Sequence, residues 1–294
     1  MSFCQKNFKN LIFAFILLPA LLPAQPLPHR RTVLPAAIRE VSGMARTPEG
    51  HVWLLNDSRN PAELFRFDPV TGVLLETRKL PVPNRDWEDL TLDSAGYLYI
   101  GDFGNNKNAR RDLCVFRYHP DSGALDSIVF RYPDQDAFPP GDERAWNFNC
   151  EAMTMFNDSL HLFSKNVFKG NFVTKHYVLP AHPGRYIAEL RDSMVLKNRV
   201  VTGAALSPDG QTLAITCYII GKKFGFIPYT KANAYFFTCF RGSAFFQGQR
   251  RSKRLPKCLI ARQFESITWW DAKHWLIANE QQKIQRQAIW KIRD

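Results

Sequence analysis

The stretch DWEDLTLDSAGYLYIGDF, residues 86–103, has a polar start, an alternating strand, a tight turn and a second apolar strand. The Ser-Ala-Gly turn at its centre is short enough to join two adjacent antiparallel strands. Four other segments have the same shape: REVSGMARTPEGHVWLLND (39–57), NCEAMTMFNDSLHLFSKN (149–166), VTGAALSPDGQTLAITCY (201–218) and QFESITWWDAKHWLIANE (263–280). The sequence is therefore organised around a repeated β-hairpin.

The five hairpins align on one polar position and on a second position 14 residues later. The first positions are Ser42, Glu88, Glu151, Thr202 and Glu265, and the second are Asn56, Asp102, Lys165, Thr216 and Asn279. A fixed offset inside variable repeat spacing is typical of the blades of a β-propeller. We expect an all-β, five-bladed propeller, with six blades as the alternative if a degenerate repeat lies in a long gap. The N-terminal segment RRTVLPAAI (30–38) is expected to supply a strand that closes the ring.

The N-terminus has the pattern of a secretory signal. Lys6 and Lys9 precede an apolar run from Leu11 to Leu22, and a small residue, Ala24, follows. This pattern predicts a signal peptide over residues 1–24 and a single propeller domain over 25–294, with an uncleaved anchor as the alternative. We expect an exported protein, periplasmic or extracellular, with no membrane span after cleavage.

The 294-residue chain carries a formal net charge of +12 at pH 7. A basic surface can attract a small phosphorylated or anionic ligand, and a merely solvated basic face is the favoured alternative. No nucleic-acid-binding motif accompanies the charge. We also expect the protein to be a monomer. Among the cysteines, Cys217 and Cys239 flank one hairpin and are the favoured pair if a disulfide forms.

In a propeller, the first strand of each blade lines the central tunnel. Ser42, Glu88, Glu151, Thr202 and Glu265 should therefore meet at one tunnel mouth, with Asp102 exposed just outside them. Clustered carboxylates in a narrow channel either hold protons or bind a cation. Three carboxylates and two hydroxyls form an all-oxygen donor set that favours Ca²⁺, and less strongly Mg²⁺. The alternative is a water-filled polar tunnel.

The order hydroxyl, Glu, Glu, hydroxyl, Glu around five blades resembles the calcium-dependent apyrases, or soluble nucleotidases. Their central Ca²⁺ is held by Ser, Glu, Glu, Ser and Glu, so Thr202 departs from the pattern. The resemblance covers five short motifs and not the outer strands. The wider pattern DWEDL…YLYIGDFGNN…R is also similar to uncharacterised secreted bacterial propellers, which implies a fold and a location but no activity.

The apyrase resemblance implies hydrolysis of phosphate esters or anhydrides at the Ca²⁺ site. The implied catalytic residues are Asp102, Asp57 and Lys165. Residues that would contact the substrate are Trp87, by stacking on a base or sugar, and the cations Arg85, Lys107, Arg110 and Arg262. Some of these residues also have structural interpretations. Asn56-Asp57-Ser58 and Asn105-Asn106 are ordinary turn formers. Lys165 could simply neutralise the carboxylates.

Two other functions are compatible with the same sequence. One is a non-catalytic propeller that binds a protein or a glycan on this face. The other is a lactonase-type enzyme that uses a central Ca²⁺. The chain has no GxSxG, P-loop, HExxH or GxGxxG motif, which argues against the corresponding enzyme classes.

Overall fold

The computed structural model describes residues 29–165, 172–223, 227–256, 262–282 and 285–293, and the predicted signal peptide lies outside these residues. Strands β1 to β21 form five separate sheets, which we call blades 1 to 5. Blade 1 contains β2 (Val41–Arg46), β3 (Val52–Asn56), β4 (Glu63–Asp68) and β5 (Val73–Lys79). Blade 2 contains β6 (Trp87–Leu92), β7 (Leu98–Asp102), β8 (Cys114–Tyr118) and β9 (Leu125–Arg131).

The remaining three blades follow the same plan. Blade 3 contains β10 (Cys150–Phe156), β11 (Ser159–Ser164), β12 (Val173–Pro180) and β14 (Glu189–Val195). Blade 4 contains β15 (Val200–Leu206), β16 (Thr212–Lys223), β17 (Ile227–Thr238) and β18 (Gln249–Arg254). Blade 5 contains β19 (Phe264–Asp271), β20 (His274–Asn279), β21 (Ala288–Arg293) and β1 (His29–Val33).

The predicted five-bladed propeller is confirmed. The inner strands β2, β6, β10, β15 and β19 contact one another in a closed cycle. The ring is closed as expected by the N-terminal strand, because β1 pairs antiparallel with β21, with Thr32 opposite Ile289. This closure leaves no unpaired edge between the first and last blades.

One strand departs from the four-stranded plan. Strand β13 (Gly184–Ile187) lies in the chain segment between β12 and β14 of blade 3, yet it pairs parallel with β9 of blade 2. Blade 2 therefore has five strands, and a segment of blade 3 is hydrogen-bonded across the blade boundary. The sequence pattern did not predict this strand.

The hydrophobic core is divided into five clusters, one at each boundary between neighbouring blades. Between blades 1 and 2, for example, Trp53 packs in one cluster with Trp87 and Phe116. Near the axis the inner strands approach too closely for larger side chains. A Cβ added to Gly43 would lie 2.6 Å from the backbone nitrogen of Leu90. The absence of a side chain at Gly43 thus allows the inner strands of blades 1 and 2 to approach closely.

The space enclosed by the inner strands contains the carboxyl group of Asp89, which is 1% exposed. Asp89 accepts hydrogen bonds from the backbone N–H groups of Leu90 at 2.8 Å and Met153 at 2.7 Å. It also accepts one from the N–H of Ala204. Asp89 therefore connects the inner strands of blades 2, 3 and 4.

Cys217 and Cys239, the favoured pair if a disulfide formed, are both free, with Cys217 buried and Cys239 exposed. No helix among the described residues is long and apolar enough to cross a membrane.

Candidate metal centre

The five aligned polar residues share one structural position. Each lies in the inner strand of its blade, at the point where the pairing with the second strand shifts by one residue. Such a β-bulge leaves one residue out of the ladder and redirects its side chain. The bulge residues are Ser42, Glu88, Glu151, Thr202 and Glu265, and all five are buried.

The constant offset of 14 residues is only partly correct. The residue before the bulge pairs with Asn56, Asp102 and Asn279 in blades 1, 2 and 5, in agreement with the alignment. In blades 3 and 4, however, the paired residues are Ser164 and Cys217, one residue before Lys165 and one residue after Thr216. The register differs because the turns of these two hairpins differ in length from those of blades 1 and 2.

The paired residues are buried anchors and do not project into the mouth. Asn56 Oδ1 accepts the backbone N–H of Glu40 at 3.2 Å, and Asp102 Oδ1 accepts that of Asp86 at 2.9 Å. Asp102 is 1% exposed and its Oδ1 lies 3.0 Å from Arg110 NH1. The expectation that Asp102 is solvent-exposed at the mouth is therefore wrong. Its carboxylate positions the loop that carries Asp86.

The side chains that reach the bulge residues lie one position after the paired residues described above. Backbone hydrogen bonds place Asp57, Lys165 and Glu280 at equivalent points, because each N–H donates to the residue two before the bulge of its own blade. In blade 4 this point is occupied by Tyr218, which pairs with Val200. These side chains, the bulge residues and three residues that lie two positions before a bulge form the surface that we call the mouth; the last three are Asp86, Asn149 and Gln263.

Three carboxylates from blades 1 and 2 form the acidic cluster of the mouth. Asp57, Asp86 and Glu88 each offer an oxygen, and these oxygens all lie within 4.8 Å of one another. Two ligands of one Ca²⁺ at about 2.3–2.6 Å from the ion can be separated by up to about 5 Å, so one ion can contact all three. The all-oxygen donor set also fits a hard cation.

The bulge hydroxyls join neighbouring blades. Ser42 Oγ donates to the backbone oxygen of Glu88 at 2.6 Å and lies 3.5 Å from Glu88 Oε2. Thr202 Oγ1 donates to the backbone oxygen of Phe264 at 2.7 Å. Each hydroxyl proton is used between blades, which leaves the oxygen lone pairs available to a cation.

The opposite wall of the mouth differs because it contains a cation. Lys165 Nζ lies 2.9 Å from Glu151 Oε2, while Glu151 Oε1 accepts a hydrogen bond from Asn149 at 2.7 Å. Glu265 accepts a hydrogen bond from Gln263 at 3.1 Å. The mouth is thus asymmetric. The acidic cluster lies on one side, and on the other side Lys165 neutralises the carboxylate of Glu151.

Burial and mutual repulsion raise the pKa values of most mouth carboxyls. Burial raises the pKa of Asp57 to about 6, that of Glu265 to about 7 and that of Glu280 to about 9, with neighbouring carboxylates adding to each shift. The pKa values of Asp86 and Glu88 are raised by the same two causes. Burial alone would lower the pKa of Lys165. The neighbouring negative charges, Glu151 first, outweigh this effect, so the pKa lies well above its usual value.

These pKa values predict a pH-dependent stability of the metal-free protein. Glu280 is protonated in the folded state up to about pH 9 but ionises near pH 4.5 when unfolded. The folded state thus binds more protons, so the free energy of unfolding should fall as pH rises. One proton contributes about 1.4 kcal/mol per pH unit, so between pH 6.5 and 8 we expect Glu280→Gln to lose roughly 2 kcal/mol less than the parent, and the histidines, which both proteins share, titrate equally in each. Urea unfolding in chelator tests this, and equal losses would contradict it.

Gly104 forms the floor of the acidic cluster. A Cβ at this position would lie 2.2 Å from Glu88 Oε1 and 2.4 Å from Asp86 Oδ2. Gly104→Ala should displace both carboxylates and destabilise the protein by about 1–3 kcal/mol, as for other overpacked sites. Gly141→Ala is the matched control, because a Cβ there meets no atom within 4 Å. Equal thermal midpoints of the two variants would show that the cluster tolerates the added atom.

The predicted substrate-binding residues are not gathered at the mouth. Trp87 is 0% exposed, with its Nε1–H donating to the backbone oxygen of Pro83 at 3.1 Å, so the stacking prediction is wrong. Arg85 is exposed and paired with Asp112. Arg262 lies 4.6 Å from the Trp290 ring centroid, and its Nε donates to Gln285 Oε1 at 2.9 Å.

The other two predicted contacts lie in the loop after β7. Lys107 is exposed. Arg110 donates to Asp102 Oδ1 at 3.0 Å, to Gly104 O at 2.9 Å and to Asp112 Oδ1 at 3.1 Å. Within the described ranges, no mouth carboxyl forms a hydrogen bond or ion pair with either cation. Arg110 instead braces the loop behind the cluster.

The alignment missed several mouth residues. Asp86, Asn149 and Gln263 lie two residues before a bulge, Glu280 follows the second strand of blade 5, and Tyr218 lies within the second strand of blade 4. All except Tyr218 are polar at equivalent points of the repeat, so extending the alignment by two residues in each direction would have identified them.

The fold and the mouth define the chain as a five-bladed β-propeller with an acidic cluster at one end of its tunnel. No protein-family model matches the sequence, and no curated protein is significantly similar to it. Three solved structures illustrate the structural similarities. Hydrazine synthase from Kuenenia stuttgartiensis aligns at 11% identity and a TM-score of 0.44, over 81% of this chain and 61% of that chain.

The other two similarities cover more of the matched chain. The calcium-binding protein regucalcin from Agrobacterium tumefaciens aligns at 12% identity and a TM-score of 0.44, over 90% of each chain. An α-L-arabinofuranosidase from Podospora anserina aligns at 12% identity and a TM-score of 0.48, over 88% of this chain and 93% of that chain. Similarities of this size carry no argument about the ligand or reaction of this chain.

Proposed function

We propose that this protein binds one Ca²⁺ at the mouth, between Asp57, Asp86 and Glu88. The observation that carries the proposal is the convergence of three carboxylate oxygens within 4.8 Å in a largely buried site. Such a cluster is costly without a counter-charge, which is why several of its pKa values are raised. Ser42 Oγ, next to Glu88, supplies a further oxygen to the same side.

This site differs from the symmetric ring that the apyrase resemblance implies. Glu151 is paired with Lys165, which places a positive charge where the ring would need a free ligand. The ion is therefore held off the axis, toward blades 1 and 2. Glu151, Thr202 and Glu265 form the opposite wall and do not all contact the ion directly.

The reaction that we propose for this site is hydrolysis of a phosphate ester or anhydride by an exported enzyme. A bound Ca²⁺ would supply positive charge to phosphate oxygens. Lys165, on the opposite wall, would hold a second phosphate oxygen. Asp57 would orient the attacking water from its place beside the ion. Asp102 would act only as a positioning residue, through its hydrogen bond to the backbone of Asp86.

The first test is the effect of Ca²⁺ on thermal unfolding. A ligand that binds only the folded state stabilises it, by about 2.7 kcal/mol at 100 times its Kd. For a domain of this size we expect the midpoint to rise by about 5–10 °C at saturating Ca²⁺. Chelator should reverse the rise, and Mg²⁺ should produce less of it. Identical melting curves in Ca²⁺ and in chelator would rule out the site.

The reaction needs a separate measurement. Nucleoside phosphates, a phosphate monoester and a lactone should be assayed with Ca²⁺ and with chelator. Phosphate release that requires Ca²⁺ would support the hydrolase. Calcium binding without turnover of any phosphate would leave a non-catalytic propeller, and turnover of the lactone alone would favour the lactonase-type alternative.

A further inference from the structure

A second concave site lies behind the mouth, at the outer part of blade 2. Its walls come from the loop after β7, the end of β9 and the loop that follows β9. The cavity has a volume of about 280 Å³ and is lined mainly by Arg110, Arg111, Arg131, Asp136 and Phe138, above a floor of Leu113 and Phe130. It shares Arg110 with the loop behind the acidic cluster but no residue with the cluster itself.

The charge of this cavity is positive because two of its arginines have no acidic partner. Arg110 is held by Asp102 and Asp112, so its charge is offset. Arg111 stacks on Phe138, with its guanidinium carbon 4.0 Å from the ring centroid. Across the described ranges of the chain, the guanidinium of Arg131 makes no hydrogen bond or ion pair, and only its backbone is bonded, to Ala188. Asp136 is the one acidic group among the lining residues.

The floor of the cavity is apolar. Leu113 and Phe130 are 2% and 3% exposed, and they form a rigid floor within the core cluster between blades 2 and 3. Gln135, also a lining residue, donates to the backbone oxygen of Asn108 at 2.8 Å and so fixes the loop that carries Asp136 and Phe138. Guanidinium groups beside an aromatic wall are suited to a planar anion with an apolar body.

We propose that this cavity binds a small organic anion, a carboxylate or a phosphate monoester attached to an aromatic or apolar group. Arg111 and Arg131 bind the anionic group, and Phe138 with the floor contacts the apolar body. The site is separate from the Ca²⁺ site and does not depend on it. Asp136 weakens binding, because its carboxylate faces the same cavity as the anion.

Calorimetric titrations with phenyl phosphate, benzoate and inorganic phosphate test this proposal on the full mature chain in chelator. We expect saturable binding of at least one aromatic anion and weaker binding of inorganic phosphate, which lacks the apolar body. Arg111→Gln and Arg131→Gln should each weaken the Kd by about tenfold or more, as for a lost charge-assisted hydrogen bond. Asp136→Asn should tighten it about threefold or more, since a like charge is removed.

The matched control is Arg185→Gln. Arg185 is an exposed arginine in β13, on the same sheet but outside the cavity. The Arg185→Gln variant should leave the Kd for the aromatic anions unchanged. An equal loss in Arg185→Gln and Arg111→Gln would mean that the anions bind the basic surface in general, and the proposal would be wrong. An absence of saturable binding by both aromatic anions would also overturn it.

Discussion

Asp89→Ala is expected to lower the free energy of unfolding by about 3–5 kcal/mol, the largest loss of stability from any mouth or axis residue. The mutation removes the acceptor for the backbone N–H groups of Met153 and Ala204, which belong to the inner strands of two other blades. A buried N–H left without an acceptor costs roughly 1–3 kcal/mol. Since Asp89 joins three blades, the loss should affect the cooperative unfolding of the whole ring.

Urea unfolding of the metal-free protein measures this effect. Asp89→Asn should show an intermediate loss, because the amide keeps one oxygen but turns a donor toward one of the same N–H groups. Asp121→Ala, an exposed aspartate in the turn between β8 and β9, is the control and should change stability by less than about 0.5 kcal/mol. A loss below about 1 kcal/mol for Asp89→Ala would show that water replaces the carboxylate at the axis.

Glu88→Gln is expected to weaken Ca²⁺ binding by about 100-fold or more. Glu88 is the buried member of the acidic cluster, and calcium affinity depends strongly on the number of charged ligands. The same change should stabilise the metal-free protein. Burial and neighbouring carboxylates raise the pKa of Glu88, which means that its ionised form is unfavourable in the folded state.

The opposite signs of these two effects distinguish a metal ligand from a structural residue. Calorimetry should show the lost affinity, and thermal unfolding in chelator at pH 8 should show a higher midpoint than the parent. Glu49→Gln is the control, because Glu49 lies in the exposed turn between β2 and β3, at the opposite end of the inner strands. If Glu88→Gln lowers the midpoint and leaves the Ca²⁺ affinity unchanged, Glu88 is not a ligand.

The identity of the bulge residues could be read from the repeat alone. Ser42, Glu88, Glu151, Thr202 and Glu265 align because the same hairpin recurs five times, and hairpin geometry is local. The number of blades and the closure by the N-terminal strand also follow from counting hairpins and unpaired strands. A local pattern of this kind is sufficient to fix a repeating fold.

The direction and environment of the neighbouring side chains depend on contacts between blades. Asp102 was expected to be exposed because the alignment placed it at the mouth, but Arg110 and the backbone of Asp86 surround it. Trp87 was expected to contact a ligand, but the boundary between blades 1 and 2 buries it completely. Neither environment could be read from spacing, since the contacting residues come from other loops or from the adjacent blade.

The sequence by itself determined the propeller, its five blades and the five bulge positions, because these follow from a short-range repeat of polar, apolar and turn residues. Only the tertiary structure decided the chemistry of the mouth. It brought Asp57 of blade 1 beside Asp86 and Glu88 of blade 2, and it placed the carboxyl of Asp89 against the inner strands of blades 3 and 4. The physical reason is that charge interactions and burial act across blade boundaries, over distances in sequence that no local pattern records.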